Sequence, residues 1–129
     1  MRFVNPIPFV RDIAQSKAFY EKTLGLTIQQ DFGSFVLFEG GFATHEGEAL
    51  EQMIWGKASK DEQPYGRHNL LLYFEHDDVD AAFAAIAPHV DLIHRSNGRH
   101  GDSVSSAFTT RTGMPLKLAN RRISNQRGA

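Results

Sequence analysis

The stretch Phe9–Leu26, FVRDIAQSKAFYEKTLGL, decides the fold. An extended run ends at Val10-Arg11-Asp12, and apolar residues then fall at Ile13, Phe19, Tyr20 and Leu24. Ile13, Tyr20 and Leu24 are spaced i, i+7, i+11, which places them on one helical stripe with Phe19 beside it. Asp12 has the chemistry of an N-cap, because its carboxylate can accept from the unpaired N–H groups of the first turn and suits the positive end of the helix dipole. Gly25 supplies a left-handed stop, and Leu26 opens a new extended run. The stretch reads as the first strand, a helix and the entry to the next strand.

Working outward, Phe3–Val10 reads as strand one, with Pro6 and Pro8 suiting an edge position because proline cannot donate to a ladder. Thr27–Asp31, Phe35–Glu39 and Phe42–Glu46 are short extended runs separated by the turn signals Gly33-Ser34 and Gly40-Gly41. Gly47–Gly66 is polar and irregular around Met53-Ile54-Trp55, and is expected to be a crossover rather than an element. A strand over Asn69–His76 and a helix over Val79–Ala87 follow, with Asp77-Asp78 before that helix and Pro88 after it. Val90–Ile93 begins another strand. Setting Asp12 on Asp78 aligns strand with strand and helix with helix at an offset of 66 residues. The chain reads as a tandem repeat of one small motif.

Composition narrows the classes. With 129 residues the chain suits one domain with a real core, and 41% hydrophobic content is ordinary for a globular protein. No stretch is long and apolar enough to span a bilayer, and no signal-peptide pattern opens the sequence, so no membrane role and a cytoplasmic location are expected. There is no cysteine, which removes disulfides and thiolate metal sites. The net charge of −1 conceals an asymmetry: residues 1–94 carry −7 and residues 95–129 carry +6. A basic tail ordinarily suggests a nucleic-acid partner.

The pattern D-x-x-x-S-x-x-F-Y-x-x-x-L-G, here Asp12, Ser16, Phe19, Tyr20, Leu24 and Gly25, resembles that of the vicinal oxygen chelate superfamily. That group includes glyoxalase I, bleomycin-resistance proteins, fosfomycin-modifying enzymes and extradiol dioxygenases. YFEHDDVDAAFAAI echoes the pattern in the second half, and the resemblance covers residues 1 to about 94. It implies an α+β fold of paired βαβββ modules, over about 1–56 and 66–120, with sheets curled around a cleft, the last strands degraded, and a loose tail over 121–129. Metal-using members place His, Glu or Gln at four inward positions. Carried over, these fall on Asn5, Ala43, Leu71 and Lys117, which are poor or useless donors for a borderline transition metal. The resemblance therefore implies no metal and no cofactor here.

The tail departs from that pattern. From His94 the sequence reads HRSNGRHGDSVSSAFTTRTGMPLKLAN. Read so that each codon takes the third base of one residue and the first two of the next, synonymous codons allow HPIERPPWGQRVFRFYDPDGHAIEIGE. That is the ending the family leads one to expect. Met114-Pro115 forces Ala in the shifted frame, and TTG for Leu116 and Leu118 yields Ile-Glu and Ile-Gly together. One base lost near His94-Arg95 is the expectation, and the basic tail then says nothing about nucleic acid. In the present frame Val104–Thr110 keeps β-prone residues, and Leu116 and Leu118 alternate with Lys117 as in a half-buried strand. A makeshift hairpin is expected there.

The candidate ligand-binding residues are Asn5, Phe9, His45, Trp55, Tyr73 and Glu75. By period two, Asn5, Ile7 and Phe9 share one face of strand one, Leu71, Tyr73 and Glu75 share one face of strand five, and His45 faces as Ala43 does. The resemblance puts these faces into the cleft, a mostly apolar site with a few polar groups. Phe9 and Tyr73 read first as ordinary core and second as ligand-stacking rings, His45 reads equally as a solvated strand end or a cavity residue, and Trp55 as a lid anchor or a dimer contact. Glu48 and Glu51 read as polar loop residues. The functional expectation is a metal-independent protein that sequesters a small aromatic or cationic molecule as a homodimer. The alternatives are a glyoxalase- or dioxygenase-like enzyme holding a metal through His45, Glu46 or Glu75, and an idle interaction domain.

Overall fold

The computed structural model describes residues 1–58, 65, 70–96, 105–110 and 114–120. Two compact units divide it, Met1–Arg67 and His68–Ala129.

In the first unit β1 (Phe9–Val10) leads into α1 (Ile13–Ala18), which continues as a wider π-helical turn over Phe19–Thr23. Asp12 caps it, its Oδ1 accepting from the Gln15 N–H at 2.9 Å. The C-terminus closes where the Leu26 N–H donates to the Tyr20 carbonyl at 2.9 Å, with Gly25 at φ +74°. That bond spans six residues and needs a left-handed residue inside it, which glycine adopts without strain. Strands β2 (Ile28–Asp31), β3 (Phe35–Phe38) and β4 (Phe42–Glu46) follow, and the sheet order is β1-β4-β3-β2 with β1 parallel to β4.

The ladder sorts the side chains. Phe38 pairs with Phe42 and Val36 with Thr44, on the face that α1 covers. There Tyr20 meets Phe42 and Phe38 edge-on at 4.9 and 5.8 Å, and burial pushes the Tyr20 hydroxyl pKa up. Leu37 pairs with Ala43, and both Phe35 and Phe9 are partners of His45, on the other face. Tyr20, Val36 and Phe38 are the sealed centre of this unit.

Two expectations change here. The first strand is paired only at Phe9–Val10 rather than over Phe3–Val10. Pro6 and Pro8 lack the N–H that a ladder needs, although the Pro8 carbonyl still accepts from the His45 N–H at 3.2 Å. The supposed irregular crossover contains a helix, α2 (Gly47–Trp55), closed by Gly56 at φ +75°. Leu50, Glu51 and Ile54 follow helical spacing, and Leu50 and Glu51 are buried.

The second unit repeats the plan. Strand β5 (Leu72–His76) is followed by α3 (Val79–Ile86), whose cap Asp78 accepts from the Ala81 N–H at 3.1 Å, as Asp12 does from Gln15. Pro88 sits in a 3₁₀ turn over Ala87–His89 that ends the helix. Then come β6 (Val90–Ser96), β7 (Ser105–Thr110) and β8 (Pro115–Asn120), in the order β5-β8-β7-β6, with β5 and β8 parallel. Both units are thus βαβββ modules of a mixed α+β fold. The expected hairpin of the tail is present as β7 and β8, paired Phe108 to Leu116 and Ser106 to Leu118. Phe108, Leu116 and Leu118 are buried, and the Phe83 ring of α3 lies 5.7 Å from Phe108. The 121–129 tail and residues 111–113 lie outside the described residues.

Candidate functional site

The face of the first sheet away from α1 carries the site. Phe9 and His45 stand side by side on it through the β1–β4 register. The Phe35 ring lies 5.7 Å from the His45 ring. Trp55, at the end of α2, lies 6.3 Å from Phe9 and is 62% exposed. His45 is buried to 7% exposure, and its Nδ1 lies 2.9 Å from the Glu46 carbonyl oxygen. Glu46 itself pairs with Val10, one step along the ladder, so His45 and Glu46 project to opposite faces.

Beside this face stands a second cluster, built from residues that the sequence reading did not single out. Arg11 Nη1 donates to the Tyr65 hydroxyl at 2.8 Å, and its guanidinium lies 3.7 Å from the Tyr65 ring centroid. The Tyr65 hydroxyl in turn donates to Glu51 Oε1 through a short hydrogen bond. Removal from water, and then this donation to a carboxylate, push the Tyr65 pKa up to about 12. The ring meets Phe9 edge-on at 5.6 Å and lies where a Cβ at Gly47 would be. Gly47 is therefore the position that lets Tyr65 pack on the first turn of α2. Glu51, read from sequence as a loop residue, is a buried helical acceptor. The signal that could have found it is the spacing Gly47, Leu50, Glu51, Ile54, the face of a helix.

Asn5 does not reach toward this group, since its Nδ2 donates to the neighbouring Pro6 carbonyl at 3.1 Å. In the second unit, Tyr73 and Glu75 do come together: the Tyr73 hydroxyl donates to Glu75 Oε1 at 3.0 Å, and both are exposed. Lys117, the ladder partner of Tyr73, holds its Nζ 6.0 Å from that ring. Phe9, His45 and Trp55 form one group in the first unit, and Tyr73 and Glu75 one in the second.

The two βαβββ sheets, with a parallel pair formed by the first and last strand of each, decide the kinship. A profile of the glyoxalase-like domain matches residues 3–104. The chain belongs to the glyoxalase-like domain family. It is thereby a member of the vicinal oxygen chelate superfamily. Among solved structures, a protein of unknown function from Agrobacterium tumefaciens str. C58 is 55% identical, with 95% of each chain covered and a TM-score of 0.86. A lactoylglutathione lyase from Agrobacterium tumefaciens is 17% identical, with 96% of each chain covered and a TM-score of 0.64. The genomically encoded fosfomycin resistance protein FosX from Listeria monocytogenes is 15% identical, with 95% of each chain covered and a TM-score of 0.64. At that identity the last two share the fold. No curated protein matches the sequence at a significant level.

The resemblance assigns the donor positions of metal-using members to Asn5, Ala43, Leu71 and Lys117. The residues do not fit the group. Ala43 presents a methyl, Leu71 an isobutyl and Lys117 an ammonium, while the Asn5 amide is turned onto its own backbone. Among the described residues no three His, Asp or Glu side chains gather as a metal site. Nor is any described helix long and apolar enough to cross a membrane.

Proposed function

We propose that this glyoxalase-like chain is a binding protein that holds a small aromatic molecule on the α1-distal face of its first sheet, without a catalytic metal. The observation that carries the reading is the β1–β4–β3 register, which lines up Phe9, His45 and Phe35 on one face with the methyl of Ala43. Aromatic rings offer a flat ligand large apolar area and edge or stacking contacts. His45 adds a polar group to an otherwise apolar surface, the usual composition of a small-molecule site. Tyr73 and Glu75 are proposed as ligand-binding residues of the second module, where Glu75 would suit a cationic substituent. A homodimer in the cytoplasm is the proposed working form, since symmetric pairs are the commonest assemblies.

The enzyme reading asks for a divalent ion held by His45, Glu46 or Glu75. Projection of His45 and Glu46 to opposite faces weighs against that set. Two measurements test the proposal. Elemental analysis of purified protein is expected to find no stoichiometric divalent metal, and about one tightly held Zn, Ni, Mn or Fe per chain overturns it. Thermal-shift screening with small phenols, aromatic amines and aromatic acids is expected to find stabilising ligands, with the response lost in Phe9→Ala. Light scattering should give a dimer mass.

A further inference from the structure

His45 carries information about the ligand that its neighbours do not. The Glu46 carbonyl oxygen can only accept, so the contact at 2.9 Å requires a proton on Nδ1. In the neutral ring Nε2 is then a bare acceptor. Nε2 makes no hydrogen bond to a described residue, and it is not among the buried polar atoms without a partner, which are Ser16 Oγ and Thr44 Oγ1. The backbone orients the ring on one side, and Phe35 packs against it at 5.7 Å. The free nitrogen therefore has a set direction on the face that also carries Phe9 and, beyond it, Trp55. Leu37 and Ala43 on that face are apolar, Arg11 is engaged by Tyr65, and a further amide, Gln30, stands at the β2 edge, paired with Leu37. A ligand group set against Nε2 meets an acceptor, whereas the indole N–H of Trp55 is a donor elsewhere on the face.

We infer that His45 is the specificity-determining residue of this face, selecting aromatic ligands that bear an O–H or N–H donor over isosteres that lack one. The inference rests on the binding reading above. Its physical basis is asymmetric: a matched donor adds one hydrogen bond, whereas an acceptor-only ligand forces two lone pairs together and strands both.

The test uses the full chain with phenol and its methyl ether, anisole, as probes. Nitrogen-15 NMR of the free protein should show His45 Nδ1 protonated and Nε2 bare. Phenol should shift the Nε2 resonance and bind about tenfold more tightly than anisole, the worth of one neutral hydrogen bond. In His45→Phe, which keeps a ring against Phe35, that preference should vanish. In His45→Gln, which keeps an acceptor, it should survive at least in part. A proton on Nε2 and none on Nδ1 in the free protein overturns the inference outright. Equal binding of both probes overturns the selection and leaves the binding face standing, as does a preference that persists in His45→Phe. Failure of both probes to bind overturns the selection together with the reading beneath it.

Discussion

Tyr65 and Glu51 are joined hydroxyl to carboxylate, fourteen residues apart in sequence and on either side of the end of α2. The same hydroxyl accepts from Arg11, so a cation and an anion are bridged through one phenol. Removal from water disfavours the phenolate first, and the Glu51 carboxylate beside it adds to that, which is why the folded chain holds the proton. The tyrosine value of 10.0 applies to the unfolded chain, and about 12 to the folded one. Stability from this group is complete below about pH 10 and is lost as pH rises toward 12, because the native state then binds the proton that the unfolded state has released. Urea titrations between those values should show wild type losing more stability than Tyr65→Phe. Parallel pH profiles for the two would contradict the assignment.

Gly47 makes that bridge possible, since a Cβ there would overlap the Tyr65 ring. Gly47→Ala should displace Tyr65 while leaving α2 helical, alanine being a better helix former than glycine. The expected signature is loss of the alkaline difference just described, with unchanged far-ultraviolet circular dichroism.

Asp12 and Asp78 cap equivalent helices in the two modules. Asp12→Ala and Asp78→Ala should each cost about 1 kcal/mol in chemical denaturation, and the Asn variants much less. Equal losses in Asp→Asn and Asp→Ala would show that charge rather than capping geometry is at work.

Phe38 is fully sealed, whereas Phe32 is 64% exposed and merely stacks on Phe35 at 5.8 Å. Phe38→Ala should cost about 3–5 kcal/mol, a large share of the roughly 5–15 kcal/mol that holds a domain together. Phe32→Ala should stay within about 0.5 kcal/mol. Thermal melts of the two variants decide this directly.

The reading frame after His94 is our proposal for why the family profile ends at residue 104 although strands continue beyond it. Restoring one base is expected to yield WGQRVFRFYDPDGHAIEIGE over the closing strands. Each large apolar side chain it buries contributes about 1.5–3 kcal/mol, so the restored protein should melt well above the present one. Genomic sequence across codons 90–100 is the direct check, and third bases that do not spell the shifted frame end the proposal.

What the sequence by itself determined is what short-range chemistry controls. The Asp12 and Asp78 caps, the Gly25 stop, the Gly40-Gly41 turn and the 66-residue repeat all depend on neighbours a few positions away, and each is present as read. Even the tail obeyed this rule. Alternation at Leu116, Lys117 and Leu118 was legible, and a strand ladder bonds backbone to backbone whatever side chains it carries. Long-range partners decided the rest. Gly47–Trp55 looks like loop by composition, and packing of Leu50 and Glu51 against the sheet and Tyr65 makes it a helix. Phe3–Pro8 looks like strand, yet prolines without N–H groups leave only Phe9–Val10 paired. Of the candidate site, the faces of Phe9 and His45 followed from period two. That Nδ1 of His45 is committed to Glu46 and Nε2 is not did not follow, because a ring's orientation is set by the backbone folded around it.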